Sequence, residues 1–290
     1  MSESHHNAKV PHNSHIVINV PSQSSFGPAF FFLDKEQRAA LSAYYGFARA
    51  ADDIADDPAA PAAEKRARLA AWRAGVEGLF SGDVPDTPLA RDLAGAIAAF
   101  PLKREHFLLL LDGVEMDVAP APFRTAADLE RYMYRVASAV GLACLAVCRY
   151  EDERAHELAE RMGYAVQLTN IIRDAAEDLA AGRVYLPLED LERFGCRPED
   201  LGGSQYSPNF IELMKFEAAR AREYYAGALA LAARGQKRRL APALAMGALY
   251  RELLGKIEAG GFRIKEERVR LNRAQKIKAL FKALLDYGRI

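Results

Sequence analysis

Two acidic clusters contain the residues of this chain whose types and spacing are best suited to chemistry. Asp52 and Asp56 lie four positions apart, and so do Asp174 and Asp178. On a helix this spacing places both carboxylates of a pair on one face, with Cβ atoms about 5–6 Å apart, where like charges repel. Hard divalent cations such as Mg²⁺ take oxygen ligands, commonly one or two carboxylates together with substrate phosphates. Two facing clusters would therefore hold a diphosphate through bridging metal ions.

Arginines accompany both clusters. Arg49 precedes the first cluster by three residues, Arg173 directly precedes the second, and Arg183 follows it by five. Guanidinium groups bind diphosphate oxygens bidentately. Such groups would stabilise a leaving diphosphate, which the heterolysis of an allylic C–O bond requires. A plain salt bridge between each arginine and its neighbouring aspartate is the alternative interpretation, and both can hold together.

A polar stripe leads along the sequence into the second cluster. It consists of Gln167, Asn170, Asp174 and Asp178, at spacings of three and four residues. The opposite face of the same helix is apolar, with Leu168, Ile171 and Ile172. Charged pairs at this spacing are also common on solvated helix faces. A solvated face does not explain the polar stripe, which instead indicates an internal polar seam.

Composition limits the classes of protein that need to be considered. The 290 residues are 50% apolar and contain 39 basic and 39 acidic residues. This balance argues against a nucleic-acid-binding protein, which usually has a basic face. The opening of the chain is polar, without the apolar stretch of a secretory signal. The three cysteines are too few for a disulfide framework, and Cys144 and Cys148 are expected to be small buried hydrophobes. We expect a reduced, cytoplasmic protein that a greasy substrate could draw to a membrane surface.

Helical patterns extend over most of the chain. Residues 1–21 lack a helical period and are interpreted as a mobile tail, and residues 22–290 as one α-helical domain. Asp34, with Gln37 three residues later, is the expected N-cap of the first helix. Strand alternation and repeats of fixed length are missing. His106 and His156 stand in charged surroundings and are predicted to lie on the surface. Helices are predicted near 35–56, 62–80, 87–99, 103–118, 125–149, 152–180, 208–234, 238–258 and 273–286, with an irregular connection from Pro187 to Gly203.

Four segments resemble the squalene/phytoene synthase family of head-to-head prenyl transferases. They are residues 24–26, 44–56, 132–141 and 167–187, and the resemblance extends from Ser24 to about Lys278. It implies an all-α fold: a single isoprenoid-synthase-type helical bundle with a central cavity. The form of the second motif, with Arg173 before Asp174 and Glu177 before Asp178, is similar to that of squalene, presqualene diphosphate and phytoene synthases.

The resemblance also implies a metal site of about three Mg²⁺ ions between the two clusters. Asp53 is the least certain ligand, because its side chain points about 100° away from that of Asp52 on a helix. Asp57, beside Pro58, is expected to be a helix-end residue. The implied metal ligands are Asp52, Asp53, Asp56, Asn170, Asp174, Glu177 and Asp178.

Further residues match positions that bind or transform the substrate. Tyr132 would assist proton transfer or stabilise a carbocation, although tyrosines also pack in cores. The implied catalytic residues are Tyr132, Arg49 and Arg173. The implied substrate-binding residues are Ser24, Ser25, Arg49, Tyr132, Val136, Ala137, Gly141, Gln167, Asn170, Arg173, Arg183, Tyr250 and Arg268. The small-residue stripe from Val136 to Gly141 would admit a prenyl tail or, alternatively, allow close helix packing. Phe26, Phe30 and Phe47 are expected to wall the same tunnel.

The opening segment and residues 132–141 look most like bacterial presqualene diphosphate synthases of the hopanoid pathway. The implied reaction joins two farnesyl diphosphate molecules into presqualene diphosphate and releases diphosphate. Phytoene or diapophytoene synthesis and NADPH-dependent squalene synthesis remain alternatives. NADPH is not expected, although the lack of a G-x-G-x-x-G motif does not exclude it. From other classes, a non-catalytic isoprenoid-binding or assembly protein would be expected to have a damaged cluster, and a structural bundle leaves the polar seam unexplained.

Overall fold

The structure, a computed structural model, describes residues 32–232 and 237–287. Over these residues the chain is all α-helical and contains no strand, as predicted. The helices are α1 (Lys35–Ala55), α2 (Ala62–Ser81), α3 (Pro88–Ala99), α4 (Arg104–Val118), α5 (Ala126–Met133), α6 (Ala139–Val147), α7 (Ala155–Ala180), α8 (Leu188–Arg193), α9 (Pro208–Leu231), α10 (Lys237–Ala259) and α11 (Arg273–Tyr287).

Local capping interactions fix several helix ends. Asp34 accepts a hydrogen bond from the Gln37 backbone, and the Gln37 side chain accepts one from the Asp34 backbone, which completes the predicted capping box. Thr125 forms a second capping box with Asp128 at the start of α5, and the Ser207 side chain caps α9 by accepting a hydrogen bond from the Phe210 backbone. Gly82 ends α2 in the left-handed region at φ 92°, which glycine adopts without strain. These ends lie within a few residues of those predicted.

The helix predicted from Thr125 to residue 149 is not a single α-helix. A π-helical turn, Tyr134–Ser138, separates α5 from α6. Two glycines allow this turn to approach its neighbours closely. A Cβ on Gly113 of α4 would lie 2.5 Å from Val136, and one on Gly163 of α7 would lie 2.6 Å from Ser138 Oγ. Apolar periodicity predicts a helix but does not distinguish an i→i+5 turn from an α-helical one, so the π-helical turn could not be predicted from the sequence.

The connection predicted to be irregular contains two short elements. The helix α8 follows Pro187, and a 3₁₀ turn covers Pro198–Leu201. Both are too short for a helical period to be recognised in the sequence. The α8 helix matters for the core because its buried Asp190 faces α9, where it pairs with Arg220.

Helix α7 lies at the centre of the bundle. It packs against α5, the π-helical turn, α6, α9 and α10, and most of its residues from Leu158 to Asp178 are buried. A second layer of packing joins α1 to α3 and α4. Because α7 is covered by so many elements, its polar stripe cannot be a solvated face. The prediction of an internal polar seam is confirmed.

The prediction for His106 was wrong. Its side chain is buried at 6% exposure, and its ring Nδ1 accepts a hydrogen bond from the Lys103 backbone at the start of α4. Burial lowers the pKa of His106 to about 4, with the positive charge of Lys103 adding to the effect. His106 is therefore a neutral capping residue.

His156 is exposed, as predicted. Cys148 is buried, whereas Cys144 is only partly buried.

Candidate active site

One face of α7 joins an apolar cavity to the second acidic cluster. The cavity has a volume of about 100 Å³ and is lined by apolar side chains of α1, α6, α7 and α10. Gly163 and Val166 form its α7 wall, and Gln167 and Asn170 follow at helical spacing. Asp174 and Asp178 continue the same stripe. This change from apolar to charged surface is complementary to a ligand with a hydrocarbon chain and an anionic head group.

Asp174 lies between two arginines. Arg173 Nε donates to Asp174 Oδ1 at 2.7 Å, and its Nη2 contacts Oδ2. Arg268, from the segment before α11, donates from Nε to Oδ1 at 3.0 Å and from Nη2 to Oδ2 at 2.7 Å. Asp174 is 1% exposed. Burial lowers the pKa of Arg173, but the charge and hydrogen bonds of Asp174, with the charges of Tyr250 and Glu177, together raise it by more, so the guanidinium stays protonated.

The first cluster points in two directions. Asp52 is buried at 6% exposure, whereas the Asp53 side chain is 51% exposed. Arg49 pairs with Asp53 at 2.9 Å and lies 3.9 Å from Asp52. Asp53 is therefore turned away from Asp52 on the helix. Asp57 follows α1 and accepts hydrogen bonds from the Ala59 backbone and from Arg68, as expected of a helix-end residue.

Arg183 brings the two clusters together. Its guanidinium donates to Asp56 Oδ1 at 2.7 Å, and its backbone N–H donates to the Asp178 carbonyl at 2.8 Å. Burial lowers the pKa of Arg183, but the nearby Tyr185, Asp117 and Asp56 raise it by more. The carboxyl ends of α1 and α7 therefore meet around a charged guanidinium, although they are far apart in sequence.

A buried aspartate of α4 was missed by the sequence reasoning. Asp117 accepts from the hydroxyl of Tyr132 at 2.8 Å and from that of Tyr185 at 2.7 Å. The two rings lie 5.2 Å apart. Burial raises the pKa of Tyr132 well above its ordinary value, and the charge of Asp117 raises it further, so this phenol stays protonated. The sequence did not single out Asp117, because α4 contains three other acidic residues, Glu105, Asp112 and Glu115.

A larger cleft of about 720 Å³ reaches the polar end of this region. Asp117, Arg183 and Tyr185 form part of its wall, together with Arg131 and Arg135. The guanidinium that contacts Asp56 is therefore reached from a cleft that also carries other basic side chains. The cleft wall also carries four acidic side chains, those of Asp112, Glu115, Asp117 and Asp128, which balance its four arginines.

The residues around the second cluster suit a hard cation. In the described parts of the chain, no group of three histidine, cysteine or acidic side chains lies close enough to hold a metal ion. The arginines instead contact Asp174 and Asp56 directly. However, Asn170 Oδ1 and both polar atoms of Gln167 are buried without a hydrogen-bond partner. Buried polar atoms without partners are costly, which indicates a ligand in this region. All donors of the stripe are oxygens or amides, the donor set that Mg²⁺ prefers.

The remaining predicted residues are placed in several environments. Tyr250 is buried and lies within hydrogen-bonding reach of Asn170. Glu177 is at the edge of the cluster, 3.8 Å from Arg268. Ala137 and Gly141 line the apolar cavity, and Gly141 also packs closely against Ala159.

Two residues expected near the prenyl chain, Val136 and Phe47, are not among those that line the apolar cavity. Val136 faces Gly113 of α4, and Phe47 packs among the rings of Tyr44, Trp72 and Phe107. The tail and the residues Ser24, Ser25, Phe26 and Phe30 lie outside the described residues.

A helical bundle in which an apolar cavity leads to buried carboxylates and guanidiniums is the architecture of a prenyl transferase. Comparison with known proteins makes the assignment specific: the chain belongs to the squalene/phytoene synthase family, which matches residues 20–275. The predictions of family, fold class and enzyme class are confirmed.

Relatives with different names are equally similar to this chain. It is 34% identical over 262 residues to a presqualene diphosphate synthase of Zymomonas mobilis, covering 90% of this chain and 89% of the relative. It is also 34% identical over 255 residues to a phytoene synthase of Mycobacterium tuberculosis, covering 87% and 83%. A crystal structure of a dehydrosqualene synthase in complex with a ligand superposes with a TM-score of 0.82 at 28% identity, covering 93% of both chains. The similarity therefore identifies the class of reaction, and the product is a separate question.

Over residues 32–232 and 237–287, no helix combines the length and the apolar character that crossing a bilayer requires.

Proposed function

We propose that this enzyme joins two farnesyl diphosphate molecules head to head in the presence of Mg²⁺ and releases presqualene diphosphate and one diphosphate. The observation that carries the proposal is the continuous face of α7, which passes from the apolar cavity at Gly163 to the buried carboxylate at Asp174. At about 1.5 Å per residue these positions are about 16 Å apart. This face offers a prenyl chain an apolar wall and its diphosphate a charged end.

The arginines would hold the diphosphate groups. Arg173 and Arg268 already bind one carboxylate through paired N–H groups, and a diphosphate oxygen pair presents the same geometry. Arg183, within the polar cleft, would stabilise the charge that develops as the allylic C–O bond breaks. Mg²⁺ held by Asp52, Asp56, Asn170, Asp174 and Asp178 would supply further neutralisation of the leaving diphosphate.

The apolar wall would protect the allylic cation from water. The side chains of Ala137 and Val166 carry no lone pairs that could react with the cation, which water would otherwise quench to an alcohol. The double bond of the second molecule attacks the cation, and loss of a proton to the released diphosphate closes the cyclopropane. Tyr132 does not accept this proton, because its phenol is protonated and donates to Asp117. Stabilisation of the cation by its ring is the role that remains for Tyr132, which lies behind the cleft residues Asp117 and Tyr185.

The test is incubation of the full chain with farnesyl diphosphate and MgCl₂, with and without NADPH, with products identified by mass spectrometry. We expect presqualene diphosphate and free diphosphate, little squalene when NADPH is added, and no turnover in EDTA. Full turnover in EDTA, or efficient squalene formation with NADPH, would refute the proposal. Binding of farnesyl diphosphate without turnover would instead show a non-catalytic isoprenoid-binding protein.

Phytoene synthesis is the second candidate, because the Mycobacterium tuberculosis phytoene synthase is as similar to this chain as the presqualene diphosphate synthase is. The same incubation with geranylgeranyl diphosphate separates the two. A preference for the longer substrate would assign the chain to phytoene synthesis. Since a product with two joined prenyl chains partitions into bilayers, we also expect its release at a membrane surface.

A further inference from the structure

Helix α11 exposes an apolar stripe to solvent. Among the described residues, three large apolar side chains are exposed: Val84 at 36%, Ile277 at 59% and Phe281 at 62%. Two of the three, Ile277 and Phe281, lie four residues apart on α11 and therefore share one face of the helix. Ala274 continues this face toward the amino end and is also exposed.

The exposed stripe is distinct from the face that holds α11 in the bundle. Ala279 and Ala283 are buried, and α11 packs chiefly against α10. Leu280 and Leu284 are partly buried between the two faces. The apolar surface of α11 is thus wider than its contact with the protein requires. An exposed apolar face of this kind is typical of a surface that binds another protein or a membrane.

Basic side chains border the stripe. Lys278 and Lys282 are exposed, each one position after an apolar residue of the stripe. From Arg273 to Tyr287 the sequence has four basic residues and one acidic residue. Apolar side chains flanked by lysines are the pattern of helices that lie in the interface of anionic membranes.

We infer that α11 docks the protein on the surface of an anionic lipid bilayer, with Ile277 and Phe281 inserted among the acyl chains and Lys278 and Lys282 at the head groups. The charges of Lys278 and Lys282 favour an anionic bilayer over a second copy of the chain as the partner of the stripe. A two-fold contact through the same stripe would bring the lysines of both copies close together, where they repel. The inference depends on α11 alone and holds whichever product the enzyme makes.

The position of α11 is suited to a greasy product. Lys256 of α10 donates to the Arg270 carbonyl and to Gln275 Oε1, so α11 begins beside the carboxyl end of α10. The other end of α10 carries Pro242 and Met246, which line the apolar cavity. The same helix that supports the stripe therefore also walls the cavity.

The experiment is flotation of the full chain with vesicles of phosphatidylcholine alone and with about 30% phosphatidylglycerol. We expect binding to the anionic vesicles that weakens in about 0.5 M NaCl, because salt screens the lysines. Ile277→Ser with Phe281→Ser should weaken binding about tenfold or more. Lys278→Glu with Lys282→Glu should weaken it about thirtyfold or more.

Matched controls use exposed residues that lie outside α11 and its neighbour α10. Val84→Ser controls for the loss of an exposed apolar side chain, and Arg66→Glu with Lys215→Glu controls for the change in net charge. Both should bind vesicles as the wild type does. Circular dichroism and turnover in solution confirm that each variant is folded.

Absence of vesicle binding by the wild type, or equal binding by the α11 variants, would overturn the inference. A dimer in light scattering that Ile277→Ser with Phe281→Ser dissociates, without vesicle binding, would assign the stripe to self-association instead.

Discussion

Replacement of Asp174 by asparagine tests whether the second cluster is held together by its arginines. The spacing of Asp174 and Asp178 alone predicts a stabilising change, because removing one of two like charges relieves repulsion. The structure predicts the opposite sign. Asp174 is 1% exposed and accepts four hydrogen bonds from Arg173 and Arg268. Removing one partner of a buried ion cluster costs about 3–5 kcal/mol, because the other charges remain buried.

This free energy corresponds to a measurable fall in melting temperature. At about 2–3 °C per kcal/mol for a large domain, Asp174→Asn should lower Tm by about 6–15 °C. Asp53→Asn is the matched control, since Asp53 belongs to a cluster of the same kind but is 51% exposed. Its effect should be below about 1 kcal/mol. Differential scanning calorimetry at one ionic strength compares the two variants.

Inorganic diphosphate adds a second readout to the same experiment. Without Asp174, the two guanidiniums face each other and offer paired donors to an anion. Diphosphate without metal should therefore raise the Tm of the Asp174→Asn variant more than that of Asp53→Asn. A Tm of Asp174→Asn within about 2 °C of the wild type would refute the assigned role of the arginine pair. Equal stabilisation of both variants by diphosphate would refute anion binding at this position.

Three further outcomes follow from individual residues. Ala137→Phe, on the cavity wall, should suppress turnover of geranylgeranyl diphosphate more than that of farnesyl diphosphate, as compared by kcat/KM. Asp117→Asn should lower kcat by about tenfold or more with little change in KM, because two tyrosine hydroxyls lose their shared charged acceptor. Burial raises the pKa of Glu217 to about 8. Between the ordinary pKa of a glutamate and this raised value, Glu217 keeps its proton in the folded chain but loses it in the unfolded chain. The free energy of unfolding should therefore fall as pH rises from about 5 to 9. Glu217→Gln should flatten this decline in urea denaturation, and an unchanged slope would contradict the assignment.

The sequence by itself determined the helices and the contents of the clusters. Helix ends depend on hydrogen bonds between residues three or four apart, so Asp34 and Gln37 could be identified as a cap without knowledge of the fold. The long helices could be predicted because their apolar residues also recur at spacings of three and four. The run of Gln167, Asn170, Asp174 and Asp178 along α7 predicted an internal polar seam, and the burial of these side chains confirms it.

The tertiary structure decided which groups neutralise one another. Arg268 reaches Asp174 across 94 positions of sequence, and Arg183 reaches Asp56 across 127. Asp117 acquired its role from Tyr132 and Tyr185, which come from other parts of the chain. Charge and burial depend on which distant elements cover a side chain, and a local spacing contains no information about them. Therefore the sequence predicted that carboxylates and guanidiniums would meet, whereas only the packing of α1, α4 and α7 determined the partners, the desolvation and the resulting pKa values.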